Sequence, residues 1–235
     1  MYRVSGENVF VVEAGFSDGK ISEKELSTAK NNFRTALTEK FGADTRYVNI
    51  GASFGEYIKK TAYVTLALVI LSISLYIAWA FRGTIEGYTS FSFGFVTAVS
   101  LAHDVIIAFG LYVLTSYFFP EFKVDTFFIT AMLTVLGYSI NDTIVVMDRI
   151  RSNLRLPAGK KQDFGVLVHT SIQDTLRRSI FTSLTVVIVL VALFFFGPSA
   201  IAGFALALIF GSIVGTYSSV CIAAPLLYDI TRKNK

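Results

Sequence analysis

Hydrophobic positions in this chain run continuously over most of its length, with neither the alternation of a half-buried strand nor the one-sided recurrence of a surface helix. Five stretches, at 62–81, 91–119, 126–147, 179–196 and 199–228, approach or exceed the roughly 20 apolar residues that a helix needs to cross a bilayer. Continuous apolar character at these lengths predicts helices rather than strands, because a lipid-exposed backbone must satisfy its own hydrogen bonds. The pattern before residue 59 is different. Residues 8–13 are rich in Val and Phe and predict a strand, and 45–50 predict a second. Between them, Ser22-Glu23-Lys24-Glu25 forms a capping box, and Leu26, Ala29, Phe33, Leu37 and Phe41 follow at helical spacing, with Gly42 as the stop. The expected architecture is an all-α transmembrane bundle at 59–235 preceded by a partial, small extracytoplasmic α+β domain at 1–58. Two strands and one helix bury little core, so that domain is expected to pack against further chain or a partner.

Composition agrees with the pattern. Hydrophobic residues make up 53% of the 235 and charged residues only 16%, against about a quarter in soluble domains. The single cysteine, Cys221, excludes an internal disulfide and a Cys-based zinc site, and it reads as a small packed residue. The net charge of +4 reports topology rather than nucleic-acid binding. Arg149, Arg151, Arg155, Lys160, Lys161, Arg177 and Arg178 lie between the third and fourth stretches, against Asp163 and Asp174, and Arg232, Lys233 and Lys235 follow the fifth. The positive-inside rule places both regions in the cytoplasm and residues 1–58 outside. Lys59 and Lys60, on the outer side of the first span, run against the rule. No secretory signal precedes the external segment, which leads to the expectation that an N-terminal span is missing.

Polar groups inside the spans carry the candidate chemistry, since a carboxylate at the centre of a span costs about 2.5–3.5 kcal/mol on insertion scales. Asp142, with Asn141 beside it, lies in the third span, and Arg178 at the start of the fourth can reach a similar depth. The pair is either a proton-titrating carboxylate with its basic counterpart or a static interhelical ion pair. His103-Asp104 in the second span is either a proton relay or an interhelical polar contact, as is Asn141. Residues 167–178, with Leu167, Ile172 and Leu176 against Gln173, Arg177 and Arg178, suggest an amphipathic helix on the inner surface. In the fifth span Gly203, Ala207, Gly211, Gly215 and Ser219 recur every fourth residue, a small-residue stripe that permits close helix approach.

Gly137-Tyr138-Ser139-Ile140-Asn141-Asp142-Thr143-Ile144-Val145-Val146, followed by Asp148-Arg149-Ile150-Arg151, resembles the fourth-span signature of SecF in the SecD/SecF protein-export family. His103-Asp104-Val105, Thr175-Leu176-Arg177-Arg178-Ser179-Ile180-Phe181-Thr182-Ser183, Gly203-Phe204-Ala205-Leu206-Ala207 and Gly215-Thr216-Tyr217-Ser218-Ser219 extend the resemblance over most of 85–228. It implies one six-span half of an RND-like membrane pair, here starting inside the external domain and lacking the first span. It further implies a non-enzymatic, multi-pass subunit of the bacterial inner membrane with no cofactor or metal. Its partners would be SecD, the SecYEG channel, the translocating preprotein and membrane lipid, and no nucleic acid. With them it would use the proton gradient to promote preprotein export, with Asp142 and Arg178 in the coupling roles. Two other readings remain open on the residues alone. One is an RND-like exporter of small hydrophobic molecules, and the other an intramembrane aspartyl protease built on Asp104 and Asp142.

Overall fold

The structure, a computed structural model, describes residues 2–4, 9–11, 23–41, 52–82, 90–156 and 162–233. The chain divides into two compact units, Met1–Lys60 and Thr61–Lys235. In the first, β1 (Tyr2–Val4) and β2 (Val9–Val11) form an antiparallel pair with Arg3 opposite Phe10. α1 (Glu23–Phe41) follows, with Ala29, Phe33 and Leu37 half-buried and their polar neighbours exposed. Ser22, Gly42 and the strand expected at 45–50 lie outside the described residues.

The second unit is helical among the described residues. α2 (Ala52–Ala80), which begins in the first unit's residues, α3 (Ser90–Phe118), α4 (Thr126–Arg155) and α5 (Phe164–Phe196) are each a single helix. The fifth apolar stretch is broken: a 3₁₀ turn at Ser199–Ile201, α6 (Ala202–Ser218), a π-helical turn at Ser219–Ala223, and α7 (Ala224–Lys233). Pro225 has no N–H to give to an upstream carbonyl, which accounts for a loosened turn just before it. Five helical segments among the described residues are long and apolar enough to cross a membrane. The amphipathic surface helix expected at 167–178 is instead continuous with the fourth span. No Gly or Pro interrupts 166–196, and the helix starts where Asp163 accepts from the Gly165 and Val166 amides.

α6 is the hub, packing against α3, α4 and α5. Its glycines explain how. A Cβ at Gly211 would overlap the Val135 side chain of α4, and one at Gly215 would stand 2.8 Å from Ser139 Cβ. Gly203 faces the Tyr112 hydroxyl of α3. α2 meets α3 in the same manner, since a Cβ at Gly94 would lie 2.6 Å from the Ser74 carbonyl oxygen. Two apolar clusters result. One joins Phe93, Val96 and Leu101 with Val146, Met147, Ile150, Leu167 and Leu227. The other joins Ala108, Tyr112, Phe128, Met132, Val135 and Ala207. Between them in chain order, on α3, α4 and α6 alike, lies a belt of buried polar side chains. Short connections are satisfied locally: Tyr112 donates to the Lys123 carbonyl at 3.0 Å, and Asp125 caps α4 by accepting from the Phe128 amide.

Close approach of α6 and α4 predicts an asymmetric response to glycine replacement. Gly211→Val forces the helices apart against Val135 and is expected to destabilise the bundle by about 1–3 kcal/mol. Gly110→Ala, at a position with open space, is expected to be neutral or to stabilise by up to about 1 kcal/mol through helix propensity. Thermal unfolding of the detergent-solubilised protein measures both, and equal effects would contradict the packing described.

Candidate functional site: two buried carboxylates in a hydroxyl belt

α3 contributes Asp104, fully buried and met from three helices. One carboxylate oxygen lies 3.0 Å from His103 Nδ1. The other accepts from Ser218 Oγ of α6 at 2.8 Å and from Ser139 Oγ of α4 in a short hydrogen bond. Ser100 stands behind Ser218 at 3.5 Å. A buried charge is tolerable only when its lone pairs are filled by donors, and Asp104 has them on both oxygens. His103 itself is partly exposed, its ring 6.3 Å from that of Tyr217.

Asp142 sits three residues beyond Ser139 on α4, one helical turn away, and is also buried. Its surroundings are hydroxyls of α5 and α6. Ser183 Oγ lies 3.4 Å from its carboxylate and shares a short hydrogen bond with Thr216 Oγ1. Tyr138 donates to Ser183 at 2.8 Å. Ser179, fully buried, faces the same carboxylate. Arg178, the next residue back on α5, is exposed; it is not in ion-pair contact with Asp142 and acts on it by longer-range attraction.

The two carboxylates therefore occupy separate clusters. No hydrogen bond among the described residues joins them, whereas an aspartyl dyad would have to share a proton. Asn141 belongs to neither cluster and is exposed on α4. Gly211 and Gly215 lie where α6 crosses α4, Gly215 directly against the Ser139 that donates to Asp104. Ala207 is buried in the second apolar cluster. Among the described residues no group of three or more His, Cys, Asp or Glu side chains is placed to hold a metal ion.

Sequence reasoning did not single out the hydroxyl partners, although a signal existed. Ser171, Thr175, Ser179 and Ser183 recur every fourth residue along α5, and all four are buried on one face. On α6 and beyond, Ser212, Thr216 and Ser219 follow at helical spacing as well. At the arginine-rich end of α4 the polar links are more exposed: Arg149 pairs with Asp174 at 2.7 Å, Arg151 pairs with Asp148, and Asn153 donates to Ser171 at 2.9 Å.

The C-terminal family of the protein export membrane proteins SecD and SecF matches residues 31–233. The chain is similar to the protein translocase subunit SecF of Thermobaculum terrenum, 38% identical over 90% of this chain and 65% of that protein. It is also similar to the SecF of Anaerolinea thermophila, 34% identical over 95% and 69% respectively. It thus spans about two thirds of the length of these relatives. Among solved structures it matches the translocon-associated membrane protein SecDF of Thermus thermophilus, at 32% identity and a TM-score of 0.70, over 92% of this chain and 27% of that one. A family match across most of the chain, the shared membrane fold and the buried polar belt lead to one conclusion: the chain belongs to the SecD/SecF protein-export family.

Proposed function

We propose that the chain is the membrane-embedded, SecF-type part of a translocase accessory complex. With SecD it uses the proton gradient to promote preprotein translocation through the SecYEG channel. Residues 1–58 lie outside the cytoplasm, and the arginine-rich connection between α4 and α5 and the C-terminus lie inside. The observation that carries this reading is Asp142, a carboxylate of α4 buried against α5 and α6, surrounded by hydroxyls and lacking a direct cationic partner among the described residues. A group so placed can take up and release a proton as access to it changes, with Arg178 supplying attraction at the cytoplasmic end. Each charge moved across 100 mV delivers about 2.3 kcal/mol, enough to bias two conformations of similar energy. Asp104, which accepts from Ser139 of α4 and Ser218 of α6, serves instead as an interhelical brace.

Two outcomes follow. In inverted membrane vesicles holding the complete SecD–SecF complex, Asp142→Asn is expected to reduce gradient-dependent preprotein export to its gradient-free level while the complex still assembles. Full export by that variant would remove Asp142 from the coupling role. Asp104→Asn places an amide where two hydroxyls donate, and is expected to cost about 1–2 kcal/mol of stability in a detergent melt. Assembled complexes carrying it should retain gradient-dependent export. Lost export at unchanged stability would make Asp104 a relay rather than a brace.

A further inference from the structure

Counting hydroxyl protons distinguishes the two clusters in a way that burial does not. At Asp104 the donors point inward. Ser139 has no other acceptor for its proton among the described residues, and Ser218 is closer to the carboxylate, at 2.8 Å, than to the Gly215 carbonyl, at 3.1 Å. His103 Nδ1 faces the remaining oxygen. That set suits an ionised carboxylate, which accepts and cannot donate.

At Asp142 the hydroxyls have competing acceptors. Ser183 has one proton, and the Ser179 carbonyl oxygen at 2.8 Å is a nearer acceptor than the Asp142 carboxylate at 3.4 Å. Thr216 has its own carbonyl acceptor, Ser212 O, at 2.9 Å. Tyr138 already donates into Ser183. Ser183 and Thr216 therefore share a short hydrogen bond and each chooses between a main-chain carbonyl and the polar group beside it, while the buried Ser179 hydroxyl faces the same carboxyl group. A protonated Asp142 can donate into this cluster. An ionised one draws the Ser183 and Thr216 protons toward itself and away from the Ser179 carbonyl on α5 and the Ser212 carbonyl on α6.

From this geometry we propose that Ser183 and Thr216 are positioning residues that sense the proton on Asp142 and transmit its loss to α6. Thr216 is the contact on α6, two residues before Ser218, which ties the same helix to Asp104. The π-helical turn at Ser219–Ala223 follows at once and offers a place where helical register can shift. α6 is thus tied to the buried Asp104 carboxyl group through Ser218 and to the Asp142 cluster through Thr216. The inference rests on the proposed proton-coupling role of Asp142. The ionisable groups facing that carboxyl are Tyr138 on its own helix and Arg178 on α5. α6 presents only hydroxyls, and Asp104 with His103 on α3 lies one turn away across Ser139.

The test is the pH profile of gradient-driven export in vesicles with the complete complex, for Thr216→Val, Thr216→Ser and Asp142→Asn, with assembly followed by copurification with SecD. Val keeps the shape and removes the hydroxyl, whereas Ser keeps the hydroxyl. The expected result is a displacement of the pH midpoint by about one unit in Thr216→Val and a return to the wild-type midpoint in Thr216→Ser. If Thr216→Val does not assemble, Ser183→Ala takes its place with the same expectation. An unmoved midpoint, whether activity is retained or merely lowered, or identical profiles for the Val and Ser variants, would overturn the sensing role. Full export by Asp142→Asn would instead overturn the coupling role on which it stands. Loss of export there with an unmoved midpoint in Thr216→Val would overturn the sensing role alone.

Discussion

The hydrogen bond from Ser139 to Asp104 is the constraint around which the bundle is arranged. It requires α3, α4 and α6 to meet at one depth, because Ser218 of α6 shares the same carboxylate oxygen. Helices that carry ordinary side chains at a crossing keep their axes about 8–10 Å apart. Gly215 removes the obstacle at the crossing itself, facing Ser139 with no side chain, and Gly211 does the same one turn earlier against Val135. The glycine stripe and the carboxylate brace are thus parts of one device. Either alone would be costly: the glycines would weaken helix propensity without gain, and the carboxylate would be buried without donors.

Each element of this device is visible in the sequence to a different degree. The spans are legible because lipid demands long apolar runs, and the helices contain every predicted span apart from the terminal residues Phe81 and Phe119 and the turn at Ser199–Ile201. The small-residue stripe is legible because its period equals a helical turn. Asp104 and Asp142 stand out because carboxylates are rare at such depth. Their assignment to separate clusters was not legible. It depends on the rotation of α3 and α4 about their axes, and Asp104 and Asp142 contact different helices although Ser139 and Asp142 are only one turn apart. The break at Ser219–Ala223 was equally hidden. Pro225 signals a bend, but whether the preceding turn widens or the helix ends is set by packing. The continuity of α5 through 167–178 follows from an absence of breakers and was masked by a change of composition that does not itself stop a helix.

Cohesion in this bundle also sets how much energy the proposed coupling would need. The outward faces of α5 carry Ile180, Phe181, Leu184, Ile188, Val189 and Phe196, all exposed, and their transfer to lipid provides no force between helices. What holds the helices together is close packing at glycines and a set of hydroxyl and carboxylate contacts. Individual interhelical hydrogen bonds in membranes are worth about 0.6 kcal/mol on average, and at most about 1.7. Under the proposed coupling, a charge crossing 100 mV supplies about 2.3 kcal/mol, comparable to a few such bonds. At Asp142 the exchange is finer still, since each hydroxyl that turns toward the carboxylate gives up one main-chain acceptor and gains another. At Asp104 the Ser139 proton has no other acceptor among the described residues, and Ser218 is nearer to the carboxylate than to its carbonyl alternative. A bundle with one carboxylate bonded from α4 and α6 and one whose hydroxyls have competing acceptors can therefore change partners at the second without loosening the first.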